Sequence, residues 1–355
     1  MRVAVYTIAL NEEKFVKGWY ESAKDADYIL IADTGSDDDT LLTASKYGIE
    51  VASIFVRPWR FDNARNAALA LLPEDIDYCI ALDMDEVLAP GWREELEKAF
   101  ADGVTRPRYK YTWSWNPDGS PGLQYGADKI HSRFGYRWKH PVHEVIVSDR
   151  IEEKQGWYDL EIHHHPDNTK PRSQYLPLLE LSTKEDPSDD RNAYYYAREL
   201  FFNSAFDAAA KEFKRHLSLP SAKWNAERAA SYRYLAKCEP DNFEHWIQKA
   251  IEEDPHRRES KVEYAQFLYR NSRWQECYEV ALRALEVKEK PLDYLWESFA
   301  WNDLPHDLAS IAAWNLGNVL DAITHAEEAL KHNPNHKRII SNLNYYKEYL
   351  DKNKD

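Results

Sequence analysis

The chain has 355 residues, 30% of them charged, and carries a formal net charge of −15 with a pI near 5.4. That length accommodates two domains with cores of their own, and the acidic balance argues against nucleic acid as a partner. Cys79, Cys238 and Cys277 are too few and too scattered for a disulfide framework or a zinc site, so they read as reduced thiols.

Met1 leads straight into a strand pattern without the apolar core of a signal peptide. No apolar stretch reaches membrane-spanning length, so the expected setting is cytoplasmic with no membrane span. From there short apolar runs alternate with amphipathic segments. The pattern predicts strands over 3–8, 28–32, 51–56 and 78–82, with helices over 12–22, 40–47 and 63–72 between them. Strands alternating with helices form a parallel sheet covered on both faces, and ligands of such sheets lie at the carboxyl ends of the strands. Three strand ends carry polar residues: Asn11-Glu12, Asp33-Thr34-Gly35-Ser36, and Asp83-Met84-Asp85-Glu86.

The last of these is the most informative. On a strand, residues i and i+2 face the same side, so alternation is expected to present the Asp83 and Asp85 carboxylates together. Carboxylate oxygens suit Mg²⁺ or Mn²⁺, which also bind phosphate oxygens and neutralise a diphosphate leaving group. Asp33, at a strand end before the turn-forming Gly35, is placed to accept the imide N–H of a uracil ring. Ser36 to Asp39 read instead as caps for the helix that follows. Arg65 falls in the first turn of a helix, where the macrodipole favours an acid; anion or base contact and a surface ion pair are both open readings.

Further along, His143-Glu144 precedes an apolar strand. A carboxylate there suits removal of a proton from an attacking hydroxyl, with a buried Glu–Arg or Glu–Lys pair as the equal alternative. His163-His164-His165 closes a strand over 157–162. Imidazole is a common ligand beside carboxylates, and strand parity puts His163 and His165 on one face and His164 on the other.

After Pro166 the strand pattern gives way to helical segments rich in Ala, Leu, Tyr and Glu. Prolines at 220, 255, 291 and 334 recur at steps of 35, 36 and 43 residues, close to the ~34-residue period of paired-helix tetratricopeptide repeats. The long last step leaves room for an inserted segment over 292–305. A polar linker is expected over 166–191, around one helix at 174–183.

Taken together, Asn11-Glu12-Glu13, Asp33-Thr34-Gly35-Ser36, Ala64-Arg65-Asn66, Asp83-Met84-Asp85-Glu86, His143-Glu144 and His164-His165 resemble the family-two nucleotide-sugar glycosyltransferases of GT-A fold. More narrowly they resemble members that carry helical repeats behind the catalytic domain. The resemblance implies inverting transfer of a hexose, with glucose the foremost candidate, from a UDP-sugar with Mn²⁺ or Mg²⁺. By that resemblance Ala9, Glu12, Asp33, Arg65, Asp83 and Met84 line the nucleotide-sugar site. Asp85 ligates the metal, with His164 and then His165 as the matching histidines. The family's downstream Glu-Asp base motif is absent, and Glu144 is its best substitute.

The expected architecture is α/β: a Rossmann-like GT-A mixed-sheet domain (1–170), a linker and helix (171–190) and an all-α tetratricopeptide-like domain (191–355). The acceptor, whether glycan, lipid-linked or protein, is open, and the repeats are expected to hold a protein partner or mediate self-association. Two other functions compete. One is a non-catalytic interaction protein with a decayed transferase domain, against which the retained Asp33, Asp83 and Asp85 argue. The other is a nucleotidyltransferase, for which the Gly-rich phosphate loop is missing near residues 8–11.

Overall fold

The computed structural model describes residues 1–167 and 175–353, which form two units, Met1–Glu185 and Asp186–Asp355. Among the described residues no helix is long and apolar enough to cross a membrane.

The first unit opens as β1 (Val3–Ala9), α1 (Glu13–Ala23), β2 (Tyr28–Asp33), α2 (Thr40–Lys46), β3 (Glu50–Ser53), α3 (Phe61–Ala70) and β4 (Tyr78–Ala81). It continues as β5 (Glu86–Leu88), α4 (Trp92–Ala101), β6 (Arg106–Thr112), β7 (Gln124–Ala127) and β8 (Ile130–Ser132). It closes with β9 (Tyr136–Lys139), β10 (Val145–Ser148), β11 (Gln155–His164) and α5 (Tyr175–Glu185). The main sheet has the order β3-β2-β1-β4-β8. Its first four strands are parallel, and β8 adds an antiparallel edge. A second sheet, β5-β11-β6-β7, and a ribbon of β9 and β10 complete the unit.

Burial explains why β1 and β4 read as unbroken apolar runs. Val3, Val5, Tyr78, Ile80 and Leu82 enter a core on one face of the sheet, while Ala4, Tyr6, Cys79 and Ala81 enter another on the opposite face. Strands buried on both faces lose the polar alternation of half-exposed ones. The carboxyl ends of β1, β2 and β4 therefore lie along one edge, where their polar loops gather.

Three expectations change. The strand expected over 51–56 is β3, Glu50–Ser53, and the helix expected over 174–183 runs Tyr175–Glu185; Gln174 and the rest of 171–174 lie outside the described residues. More consequentially, β4 ends at Ala81 and the chain turns through Met84 and Asp85 into β5. Asp83 and Asp85 thus lie on a turn between two sheets, so strand alternation is not what orients them.

In the second unit the helices are α6 (Asp190–Phe202), α7 (Phe206–Ser218), α8 (Asn225–Cys238), α9 (Phe243–Glu253), α10 (Glu259–Arg270) and α11 (Trp274–Glu286). Then come α12 (Leu304–Asn315), α13 (Val319–His332) and α14 (Lys337–Lys352). The repeat is visible in the backbone. The turns α6–α7, α10–α11 and α12–α13 each contain one residue of positive φ, namely Ser204 (60°), Ser272 (55°) and Gly317 (82°). Glycine adopts that conformation without strain, whereas serine does so at a cost. Small buried residues then let the second helix of each pair pack closely: Ala209 and Ala210, Ala281 and Ala284, Ala322, Ala326 and Ala329. Residues 287–303 hold only a short 3₁₀ turn, Ser298–Ala300, where the inserted segment was expected.

Trp19 of α1 is fully buried, and its Nε1–H donates to the Leu82 carbonyl at 3.0 Å, one residue before Asp83. Trp19→Phe removes that donor and strands a buried acceptor, at a cost of about 1–3 kcal/mol. We expect stability of the first unit to fall by that amount in urea titrations of the full chain followed by circular dichroism. Unchanged stability would mean that the Leu82 carbonyl finds another donor.

Candidate active site

The loops after β1 and β2 are tied to each other. The Asp33 carboxylate, at the buried end of β2, accepts the backbone N–H of Gly35 at 3.0 Å and of Ser36 at 3.2 Å. Gly35 takes a φ of 114°, in the region open mainly to glycine. Asn11, itself at a φ of 57°, donates its N–H to Ser36 Oγ and accepts Asp37 N–H on its side chain, both at 2.9 Å. The Ala9 carbonyl receives both the N–H and the hydroxyl of Thr34 at 2.9 Å. The N–H of the buried Glu12 donates to Thr40 Oγ1 at 2.8 Å. Asp33 therefore shapes its own loop. Of the cap candidates, Asp38 accepts Thr40 N–H at 2.9 Å, while Ser36 and Asp37 bond to Asn11.

After β4 a charged network forms around Arg65. Its Nη2 donates to Asp83 at 2.7 Å and its Nε to Glu144 at 2.5 Å, and the guanidinium lies 5.0 Å from the Trp138 ring centroid. Nη1 is buried without a hydrogen-bond partner. Lys129, which no sequence signal marked, places its ammonium 2.9 Å from Asp83 and 3.2 Å from Glu86. Glu86 is buried; it accepts the Tyr111 hydroxyl at 2.5 Å and Asp83 N–H at 2.9 Å. Burial pushes the Glu86 carboxyl up. Burial also opposes ionisation of Asp83, but Arg65 and Lys129 outweigh it and hold this carboxyl well below the usual range. Met84, by contrast, points into the core.

Asp85 turns the other way. Its Oδ2 lies 3.3 Å from His164 Nε2, and its carbonyl accepts His165 N–H at 2.7 Å. His164 is stacked on Trp113, with centroids 4.4 Å apart, and its Nδ1 faces the Trp113 carbonyl at 3.0 Å. A carbonyl only accepts, so Nδ1 carries a proton. In the neutral ring Nε2 is then a lone pair facing a carboxylate oxygen, an arrangement that a cation between them stabilises. Burial pushes the His164 ring down, but the Asp85 hydrogen bond and the Trp113 carbonyl raise it on balance. His163 and His165 both pack on Trp115, away from His164, as strand parity requires. An imidazole and a carboxylate this close fit a divalent cation, whereas the His165 ring, the other histidine expected there, stacks on Trp115.

The sequence-selected residues thus fall into three groups. Asp33 holds the β2 loop, with Ala9 and Glu12 on neighbouring segments. Arg65, Asp83 and Glu144 form one ion network, and Asp85 joins His164. Tyr111 links the last two groups: its hydroxyl reaches Glu86, and its ring stacks on His164 at 6.2 Å. Lys129, Trp113 and Trp115 belong to the site but lie on β-strand connections without a motif.

Residues 4–149 match the family model for glycosyl transferase family 2. No curated protein matches the chain. Among solved structures it is similar to glucosyl-3-phosphoglycerate synthase from Mycobacterium tuberculosis, solved in complex with Mn²⁺, UDP and phosphoglyceric acid. That alignment has 25% identity and a TM-score of 0.27, covering 31% of this chain and 43% of that one. It therefore spans less than half of the synthase. The chain is also similar to yeast Tom70, at 18% identity and a TM-score of 0.37 over 52% of this chain and 37% of that one. A third similar structure is pilF of Pseudomonas aeruginosa, at 11% identity and a TM-score of 0.38 over 49% of this chain and 72% of that one.

Arg65→Leu leaves Asp83 and Glu144 without their shared cation. A buried charge stripped of its partner costs about 3–5 kcal/mol, so we expect a loss of that order at pH 7 in urea titrations. Asp83 has a depressed folded pKa, so its contribution is present above the ordinary carboxyl range and fades as pH falls through the folded value. The gap between wild type and variant should accordingly hold from pH 7 to about 5 and narrow as the pH is brought below about 4. A gap that widens on acidification would contradict the assignment.

Proposed function

We propose that the first unit is a metal-dependent inverting glycosyltransferase that moves a hexose from a UDP-sugar to an acceptor hydroxyl. The observation that carries this reading is the Asp85–His164 pair at the carboxyl edge of a family-two domain, beside the Arg65-centred network. Asp85 and His164 would hold Mn²⁺ or Mg²⁺; when bound, that cation neutralises the diphosphate and eases its departure.

The chain's own residues do the rest. Asp33, already fixing its loop through Gly35 and Ser36, presents a carboxylate oxygen to the uracil imide. Arg65, held from both sides, faces the donor as a fixed positive charge that needs no reorganisation during transfer. The acceptor oxygen forms its bond to the anomeric carbon as the bond to the diphosphate oxygen breaks, and the hydroxyl proton passes to Glu144. Glu144 Oε1 is engaged by Arg65, so Oε2 is the oxygen offered to the acceptor. The helical unit is assigned to acceptor presentation, because stacked helix pairs build concave surfaces that hold peptides or partner helices.

Incubation with UDP-, GDP-, CMP- and dTDP-sugars and Mn²⁺ should release nucleotide only from a UDP-hexose, and Asp85→Asn should abolish that release. Release from a different nucleotide sugar would discard the donor assignment. Asp33→Asn separates loop from ligand. An amide oxygen can keep the Gly35 and Ser36 bonds, but its NH₂ opposes the uracil N–H. We expect UDP affinity to fall about tenfold or more with the fold intact, whereas unchanged affinity would leave Asp33 a turn residue. Glu144→Gln should keep UDP affinity and lose turnover. A parallel loss of both would make Glu144 a positioning residue for Arg65.

A further inference from the structure

The second unit contains a group of ligand atoms that the transferase reading does not use. Asp190 begins α6, His216 lies near the end of α7, and Glu227 lies in the first turn of α8. One ligand atom from each falls within 4.8 Å of the others. His216 is fully buried and Glu227 nearly so. The His216 Nε2 has no hydrogen-bond partner and faces Glu227 Oε2 at 3.7 Å, too far for a hydrogen bond. A buried imidazole nitrogen without a partner costs free energy, and here it is aimed at carboxylate oxygens.

The surroundings orient the set. His216 Nδ1 lies 2.9 Å from Ser231 Oγ, and donation of Nδ1–H to that hydroxyl leaves the Nε2 lone pair toward the cluster. The Tyr294 hydroxyl donates to Glu227 Oε1 at 2.7 Å, which leaves Oε2 facing inward. Partners of this kind hold metal-ligating histidines and carboxylates in place. Asp190 is half-buried and gives the cluster a side open to solvent.

We propose that Asp190, His216 and Glu227 bind a divalent transition cation, Zn²⁺ foremost, which clamps α6, α7 and α8 together. Zinc accepts imidazole nitrogen and carboxylate oxygen in one tetrahedral shell, with neighbouring ligand atoms roughly 3.4 Å apart for bonds of about 2.0–2.1 Å. The observed 3.7 Å between nitrogen and oxygen lies close to that spacing. A fourth position would be taken by water from the Asp190 side. The clamp would order the first turns of the helical stack, separately from any cation at Asp85.

The test uses the full chain carrying Asp85→Asn, which disables the other candidate cation site. The protein is stripped with chelator, exposed to Zn²⁺ and gel-filtered, and its zinc is counted by elemental analysis. We expect one equivalent in this parent and its loss when Glu227→Gln or His216→Gln is added. Zn²⁺ should raise the melting temperature of the parent and not of the variants. Glu227→Gln keeps side-chain volume and an acceptor for Tyr294, so it serves if the His216 variant does not fold. A parent that retains no zinc, or variants that retain the same equivalent, would overturn the proposal and leave a buried histidine beside two carboxylates only.

Discussion

Arg65 between Asp83 and Glu144 is the contact on which the arrangement of the first unit's candidate site depends. One guanidinium fixes a carboxylate from the β4–β5 turn and another from the segment before β10, while its face rests on Trp138 of β9. Three separate stretches of chain are thereby held to α3. The planar fork of arginine makes two directed bonds at once, which lysine's point charge does not. Desolvating these charges is costly, and the network is stabilising only because each charge has a directed partner.

From that centre the site divides by direction. Leu82 and Met84 enter one core, and between them Asp83 is held by Arg65 and Lys129. Asp85 then faces the second sheet, where β11 brings His164. A turn linking two sheets therefore presents one carboxylate to fixed protein cations and the other to an imidazole. Under the proposed function, that division separates a fixed positive charge from the place of an exchangeable one.

Much of this was legible in the sequence. Unbroken apolar runs in β1 and β4 marked strands buried on both faces, and the polar residues after them gather along one edge. Parity correctly separated His164 from His163 and His165. The period of the prolines and small residues marked the paired helices. What the sequence concealed were contacts over long separations. Lys129 reaches Asp83 across 46 positions, and Arg65 reaches Glu144 across 79; neither spacing carries a periodic signal. The end of β4 was also hidden, because Leu82 is as apolar as the strand before it. Asp33 read as a ligand contact, and its hydrogen bonds to its own loop emerge only once Gly35 and Ser36 are placed.

In the proposed function, Asp85 and His164 hold a divalent cation that recruits the diphosphate of a UDP-sugar. Calorimetric titration of UDP into the full chain tests it directly, with Mn²⁺ and then with excess chelator, in wild type and in Asp85→Asn. UDP should bind with Mn²⁺, and that binding should be lost with chelator and lost in the variant. Equal UDP affinity under all of these conditions would contradict it.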